Sequence, residues 1–522
     1  MTKIDSKNSY FLDKIGEINK NNQKIALVGL GSEILQFFNW LVGECKFPLN
    51  QIVVIDQKVP ATKEIWCEQI TADNIFFNSK DFNEINQDSE IKMVIKAPGI
   101  WSLCPQFEIF RKKNGQDTVL SSLTFFIEKF RNKIIGVTGT KGKTTTSSIL
   151  THLLTSISDV QYCGNSVGIS PYIHWNNSSS LFVIELSSFQ LQDLGNAKLS
   201  PGTAIITNYF IDHQDVHNSK HEYWDSKNNI FCWQNNETDM LLCSGQFYKH
   251  LENESKIELI RQRENCYIVG DLIAKGSGSL VHSKLIGTHN YSNIALSILT
   301  FLIFKSKQEN KKTDIINNER FPSMGKLLLA FEKDSTALLE INQLMSSFTP
   351  VRHRLELVER KNIRGLEIYF YNDSQATAQE PVIAALSGLG EDSKHAIWAI
   401  IGGKAKSDDY NLLENKVKTF LEESKILQLN LFDEIGATMD KNLTGSKNYK
   451  DFKGKNWDFA MNIFFQEKID INKIVTRCIK NGYKRLNVVM SPAGSSFNQF
   501  TNYVQRGDLF TAWAKNKIID SE

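Results

Sequence analysis

No excess of either charge marks this chain, in which 60 Lys and Arg residues face 58 Asp and Glu. Without a basic surplus there is no electrostatic footprint for a polyanion, so neither nucleic acid nor an anionic membrane is expected as a partner. The eight cysteines are scattered, with no CxxC pair and no zinc spacing. That excludes a disulfide scaffold and points to reduced thiols. No apolar run approaches membrane-spanning length, and the polar opening MTKIDSKNSYFLDKIGEINKNNQK has no secretion-signal core. A fixed short repeat is also missing. These absences lead to the expectation of a soluble cytoplasmic protein, and 522 residues imply two to four domains.

What the chain does have is a recurring alternation of short Ile- and Val-rich runs with longer amphipathic stretches. KIALVGLG (24–31), QIVVID (51–56), KMVIKAPG (92–99), KIIGVTG (133–139), LFVIEL (181–186) and GTAIITN (202–208) read as buried parallel strands ending in Gly, Asp, Glu or Asn. IYFYNDS (368–374), AIWAIIGG (396–403), LQLNLF (427–432) and LNVVMSP (486–492) repeat the pattern. The expected fold class is α/β, with largely parallel sheets flanked by helices and functional residues at the carboxyl ends of the strands. The polar stretch at 111–122 and a switch near 346–354 suggest three domains, 1–120, 121–348 and 349–522, with polar insertions near 305–345 and within 430–475.

The most informative segment is KIIGVTGTKGKTTTSSIL, Lys133 to Leu150. An apolar run breaks into glycines, lysines and threonines and then resumes with helical spacing. This is the order of a phosphate-binding loop between a strand and a helix. Backbone N–H groups from Gly139, Thr140, Lys141 and Gly142 to Thr144 and Thr145 would line an anion hole, Lys143 would neutralise phosphates, and the Thr144 hydroxyl would ligate Mg²⁺. Val137 stands where the general motif has its first glycine, so the match is to the narrower GTxGKT form. Glu185, at the end of an apolar strand, is placed to supply the carboxylate such a loop needs. Asp212, His213, Asp215 and His217 crowd one loop, a density that suggests metal or phosphate chemistry at His213 above all. In the first segment, Gly29 and Gly31 give two-thirds of a GxGxxG, with Ile34 at the third position. Asp56 suits a ribose hydroxyl and the Pro98-Gly99 turn a diphosphate; a plain turn with a solvated aspartate is the open alternative.

GVTGTKGKTTT, ELSSFQL, TNYFIDHQDVH, GTHNYSNIAL, RHRLELV, YNDSQAT, IGGKAKSDDY and SPAGSSFNQFTNYVQRGDLF occur in the order in which the Mur ligases carry their motifs. The chain resembles that family of ATP-dependent amide-bond-forming enzymes of peptidoglycan synthesis from about Lys24 to Lys515. The resemblance implies a UDP-binding N-terminal domain, a central ATPase and a C-terminal Rossmann-like domain for the amino acid. The substrates it implies are ATP with two Mg²⁺ ions, UDP-N-acetylmuramoyl-L-alanine and D-glutamate, handled by a monomer. It assigns Lys143, Thr144, Glu185 and His213 to phosphate and metal. Lys227 falls on the lysine that CO₂ carbamylates to a metal-bridging carboxylate, and Asn165 lies near the acyl-phosphate site. Asn290 and Asn293 would meet adenine, His353 and Arg354 form the HR pair with Arg354 on the γ-phosphate, and Asp373 would meet the ribose. Thr377, Lys406, Ser496, Phe497 and Tyr503 would hold the amino acid. The chain departs from the family pattern at Glu33, Ile34, Ala97 and Gln375. A related ligase adding L-glutamate or another amino acid, and a noncatalytic nucleotide sensor, are the alternatives the sequence leaves open.

Overall fold

Runs of β-branched residues that end at Gly, Asp or Asn make strands buried on both faces, and such strands pair in parallel beneath covering helices. The computed structural model describes residues 9–100, 104–164, 170–210, 219–252, 257–263, 265–269, 289–309, 335–349, 351–405, 409–446, 448–453 and 461–519. Strands β1 (Lys24–Val28), β2 (Ile52–Asp56), β3 (Ile75–Phe77), β4 (Ile91–Lys96) and β5 (Val119–Ser121) form a parallel sheet in the order β3-β2-β1-β4-β5. Strands β6 (Ile134–Thr138), β7 (Val160–Cys163), β8 (Leu181–Glu185), β9 (Thr203–Ile206), β10 (Met240–Ser244) and β11 (Cys266–Val269) form a second parallel sheet, ordered β11-β10-β9-β6-β8-β7. The third sheet contains β12 (Glu356–Ile363), β13 (Leu366–Asn372), β14 (His395–Gly402) and β15 (Ile426–Phe432). After the short β16 (Ile469–Asp470), β17 (Arg485–Ala493) completes it in the order β12-β13-β17-β14-β15, and β16 pairs with β18 (Ile518–Ile519). Only β12 runs antiparallel in the third sheet. The fold class is the expected α/β.

Three stretches differ from the sequence reading. The segment at 111–122 lies between the two strand sets, as read, but carries buried structure of its own. Arg111 is buried in the helix Pro105–Asn114, paired with Glu108 at 2.9 Å, and Val119–Ser121 closes the first sheet as β5. Glu356–Ile363, which forms no apolar run, is an edge strand of mostly polar, half-buried residues. Much of 430–475 is integral to the third sheet. Ile435, Met439 and Leu443 of the helix Asp433–Leu443 are buried, and Lys453 bridges to Leu429 on the outer edge of β15. Of the other expected insertion, Lys305–Gln308 continues the helix His289–Gln308 and Lys305 pairs with Glu340 of the helix Ser335–Ser347; residues 310–334 lie outside the described residues.

The first two sheets belong to one compact unit, residues 1–282 and 292–347, and the third belongs to a second, residues 283–291 and 348–522. In the first unit an aromatic cluster joins the two sheets. Trp40, on the helix Ser32–Gly43, lies 4.5 Å from Trp175 between ring centroids, and Phe37 meets Tyr172 edge-on at 5.5 Å. All eight cysteines are free thiols. Among the described residues no helix is long and apolar enough to cross a membrane.

Candidate active site

The carboxyl ends of β6, β8 and β9 are adjacent in the second sheet, with Val137 opposite Glu185 and Thr138 opposite Ile206. The loop leaving β6 turns through two glycines that need their lack of a side chain. Gly139 (φ 149°) would put a Cβ 1.9 Å from Thr207 Oγ1, and Gly142 (φ 82°) would put one 2.4 Å from Asn293 Oδ1. The helix Lys143–Leu154 follows, with no side-chain cap at its N-cap Gly142. Thr140 N donates to Asn208 O at 3.2 Å, and the Asn208 amide closes both sides of Lys141 at 2.9 Å. Thr145 lies buried in the first helical turn. Asn290 and Asn293 are buried in the first turn of the helix His289–Gln308.

Two ammonium groups converge on this loop. Lys143 Nζ donates to Gly139 O at 2.8 Å and Thr140 O at 3.1 Å, while Lys227 Nζ donates to the same Gly139 oxygen at 3.0 Å. Lys227 is only 3% exposed, on the helix Lys220–Cys232, above the ring of Tyr223 one turn earlier. The Tyr223 hydroxyl reaches Thr140 Oγ1 at 3.1 Å. Next to them Thr144 Oγ1 donates to Glu185 Oε2 at 3.1 Å, and Tyr162 on β7 donates to Glu185 Oε1. The Ser187–Gln190 pair explains the rest of that motif: each side chain bonds the other's backbone N–H in a capping box that starts the helix Ser188–Asn196. A hydroxyl and an oriented carboxylate are hard oxygen donors and fit Mg²⁺.

On the first sheet, Asp56 accepts Leu30 N at 2.6 Å and Lys58 N at 3.0 Å, so its carboxylate braces the Gly29–Gly31 turn. Gly29 (φ 78°) faces Ile100 and Ala97, where a Cβ would sit 2.8 Å from Ile100 Cγ1. Ile34 is buried in the core and Glu33 accepts from Ser122, its carboxyl pushed above the usual range by burial. A cleft of about 350 Å³ at the carboxyl ends of β2, β3 and β4 is lined by Gln57, Lys80 and Gly99 among others; Pro98 precedes it in the same turn.

The second unit gathers a separate cluster. His353 (φ 62°) and Leu355 (φ 45°) hold left-handed backbone, which non-glycine residues adopt where the surroundings over-determine it. His353 Nδ1 lies 3.0 Å from Asn372 Nδ2, and a Cβ on Gly507 would fall 2.2 Å from that ring nitrogen. Arg354 follows His353, its N–H donating to Val351 O at 3.3 Å. Arg506, absent from the expected site, is buried and donates to Ser374 Oγ (3.0 Å), Ser374 O (2.8 Å) and Gly494 O (3.1 Å); the only sequence signal was its place in QRGD. Ser374 Oγ in turn donates to Tyr503 O at 2.7 Å, and Tyr503 opens the helix Tyr503–Asn516. Gln375 N donates to His353 O at 3.0 Å. Ser496 is buried and Thr377 half-buried, whereas Phe497 is 74% exposed.

Asp373 in this cluster is buried, accepts Leu355 N at 3.0 Å and the Ser491 hydroxyl, and is pushed up to about 7 mainly by burial. A carboxyl raised on folding keeps its proton in the native state after the unfolded chain has lost it. Stability should therefore fall as pH rises from about 4 to 7 and level off above, by up to roughly 4 kcal/mol from this group. Asp373→Asn should flatten that slope. Urea midpoints of both proteins at pH 5 and pH 8 measure it, and equal pH slopes would reject the assignment.

Asn165, His213 with its neighbours Asp212, Asp215 and His217, and Lys406 lie outside the described residues. Among the described residues, no three His, Cys, Asp or Glu side chains come together as a metal site.

Residues 137–301 match the family model of the Mur ligase middle domain. The chain is 27% identical to the UDP-N-acetylmuramoylalanine--D-glutamate ligase of Elusimicrobium minutum, over 81% of this chain and 85% of that protein. It is 26% identical to the ligase of the same name from Acetivibrio thermocellus, over 94% and 95%. Among solved structures it is similar to the UDP-N-acetylmuramate-alanine ligase MurC of Thermotoga maritima, with a TM-score of 0.46 and 14% identity over 94% and 98% of the two chains. With this phosphate loop and these α/β sheets, the chain resembles the Mur ligases. Within that family, both of these sequence relatives carry the name of the D-glutamate-adding ligase.

Proposed function

We propose that the protein is an ATP-dependent ligase that joins D-glutamate to UDP-N-acetylmuramoyl-L-alanine through an acyl phosphate. The observation that carries this reading is the convergence of Lys143 and Lys227 on one carbonyl oxygen of a glycine loop, beside the Thr144–Glu185 pair. Lys143 and the N–H groups at one helix N-terminus are suited to the β- and γ-phosphates of ATP, and Lys227, once carbamylated, would set a metal-binding carboxylate beside them. A carboxylate is a poor electrophile. Its oxygen must attack the γ-phosphorus, releasing ADP, before the glutamate amine can attack the acyl carbon and, losing a proton, expel phosphate. Lys143 and the loop N–H groups would offset the repulsion between carboxylate and phosphate. Thr144, Glu185 and, by resemblance, His213 and a carbamylated Lys227 would hold two Mg²⁺ ions, which screen charge on the transferring phosphoryl group. Asn165 would lie near the acyl phosphate.

The same reading gives adenine to Asn290 and Asn293, the ATP ribose to Asp373 and the γ-phosphate to Arg354 of the pair it forms with His353. UDP goes to the turns around Asp56, Pro98 and Gly99, and glutamate to Thr377, Lys406, Ser496, Phe497 and Tyr503. Three domains, 1–120, 121–348 and 349–522, acting as a cytoplasmic monomer complete it.

The test supplies ATP, Mg²⁺ and UDP-N-acetylmuramoyl-L-alanine, adds D-Glu, L-Glu, D-Asp, L-Ala or L-Lys separately, and follows phosphate release and product mass. D-Glu should exceed the neutral and basic amino acids by about 10³-fold in catalytic efficiency, because these leave carboxylate donors buried and unpaired. Preference for L-Glu would change the substrate, and preference for L-Ala or L-Lys would overturn the pocket.

A further inference from the structure

Lys96 closes β4 immediately before the Ala97–Ile100 turn, and its side chain is buried. A buried ammonium is retained only where its hydrogen bonds are met. Here Nζ donates to Asp193 Oδ2 at 2.7 Å and to Ile100 O at 3.0 Å. Asp193, also fully buried, sits on the helix Ser188–Asn196, whose first turn follows Glu185. One ammonium thus ties the far end of the Pro98-Gly99 turn to the helix that follows the strand ending in Glu185. The turn itself rests on Ala97 N donating to Val28 O at 2.8 Å and Ile100 N donating to Ala97 O at 3.0 Å. Ile100 also fills the space over Gly29, so a shift at Ile100 reaches the Gly29–Gly31 turn.

We infer that Lys96 and Asp193 are a positioning pair that sets the Ala97–Ile100 turn for the nucleotide-linked substrate, an inference that rests on the ligase reading for the identity of that substrate. Neither residue touches the reacting atoms. A methionine at position 96 keeps the length of the side chain but loses both hydrogen bonds, and Asp193→Leu removes the charge left behind.

Lys96→Met and the double variant Lys96→Met, Asp193→Leu are compared with the wild type by steady-state kinetics, melting temperature and amide exchange. Both variants should raise KM for UDP-N-acetylmuramoyl-L-alanine about tenfold or more, with kcat and the KM for ATP changed less than about threefold, because binding geometry and not chemistry is lost. Exchange at Gly99 and Ile100 should quicken in both, while the melting temperature, lowered in the single variant by the unpaired Asp193, should recover in the double. A double variant with wild-type KM and wild-type exchange at the turn would make the pair merely structural and overturn the inference. Absence of UDP-substrate turnover by the wild type would instead overturn the ligase reading, and the exchange rates would still decide whether the pair holds the turn.

Discussion

Lys143→Ala is expected to reduce ATP-dependent phosphate release by at least about 10³-fold, the scale reached when a fixed charge that stabilises a transferring phosphoryl group is removed. The structure explains why the fold should survive. Lys143 Nζ is folded back onto the Gly139 and Thr140 carbonyls at the loop surface, Gly139 O keeps its bond from Lys227, and the glycine turn is held independently by Thr207 and Asn208. A melting temperature within a few degrees of wild type should therefore accompany the lost activity. Activity retained within about tenfold, roughly 1.4 kcal/mol of barrier, would remove the phosphate-loop assignment.

Lys227→Ala should be as severe, with a different signature. Lys227 is 3% exposed and its Nζ reaches Gly139 O of the phosphate loop at 3.0 Å, so a carbamate formed there from the neutral amine and CO₂ would place its carboxylate at that loop. Reaction gives a carbamate and a proton, turning a cation into a two-oxygen metal ligand. The alanine variant should lose about 10³-fold or more in turnover, as when another group that acts as part of a catalytic unit is deleted. Added formate or acetate should restore part of it by occupying the vacated space. Full activity of the variant, or a wild-type crystal structure with an unmodified amine far from any metal, would reject the modification.

The strand-turn-helix around Gly139 was legible because each step has a local cause: an apolar run, glycines at left-handed positions, then helical spacing. The burial of Lys227 was not. Lys227 lies on the inward face marked by Tyr223, Trp224, Ile230 and Phe231, but a lysine is among the residue types least often buried, so its type argued against its position. Arg506 was similarly hidden. Its partners are the hydroxyl and backbone oxygen of Ser374, far away in sequence, and the backbone oxygen of Gly494, groups brought together by the third sheet. Tyr162 and Lys96 carry no motif of their own, and their meaning comes from the carboxylates of Glu185 and Asp193 on neighbouring elements. The α/β class followed from repeated strand runs, whereas the edge strand β12 is too polar, and the three-residue β3 and β5 are too short, to stand out as such runs.

The third sheet ends on one side in β12, whose exposed Arg360 and Asn362 leave charged and polar groups along the rim, and on the other in β15, where Lys453 occupies a backbone position beside Leu429. An open sheet rim is a template on which another extended chain can grow. Charge at one rim and a bound neighbour at the other work against that growth, so the polar hairpin and the segment at 448–453 serve as guards against aggregation while the chain is folding.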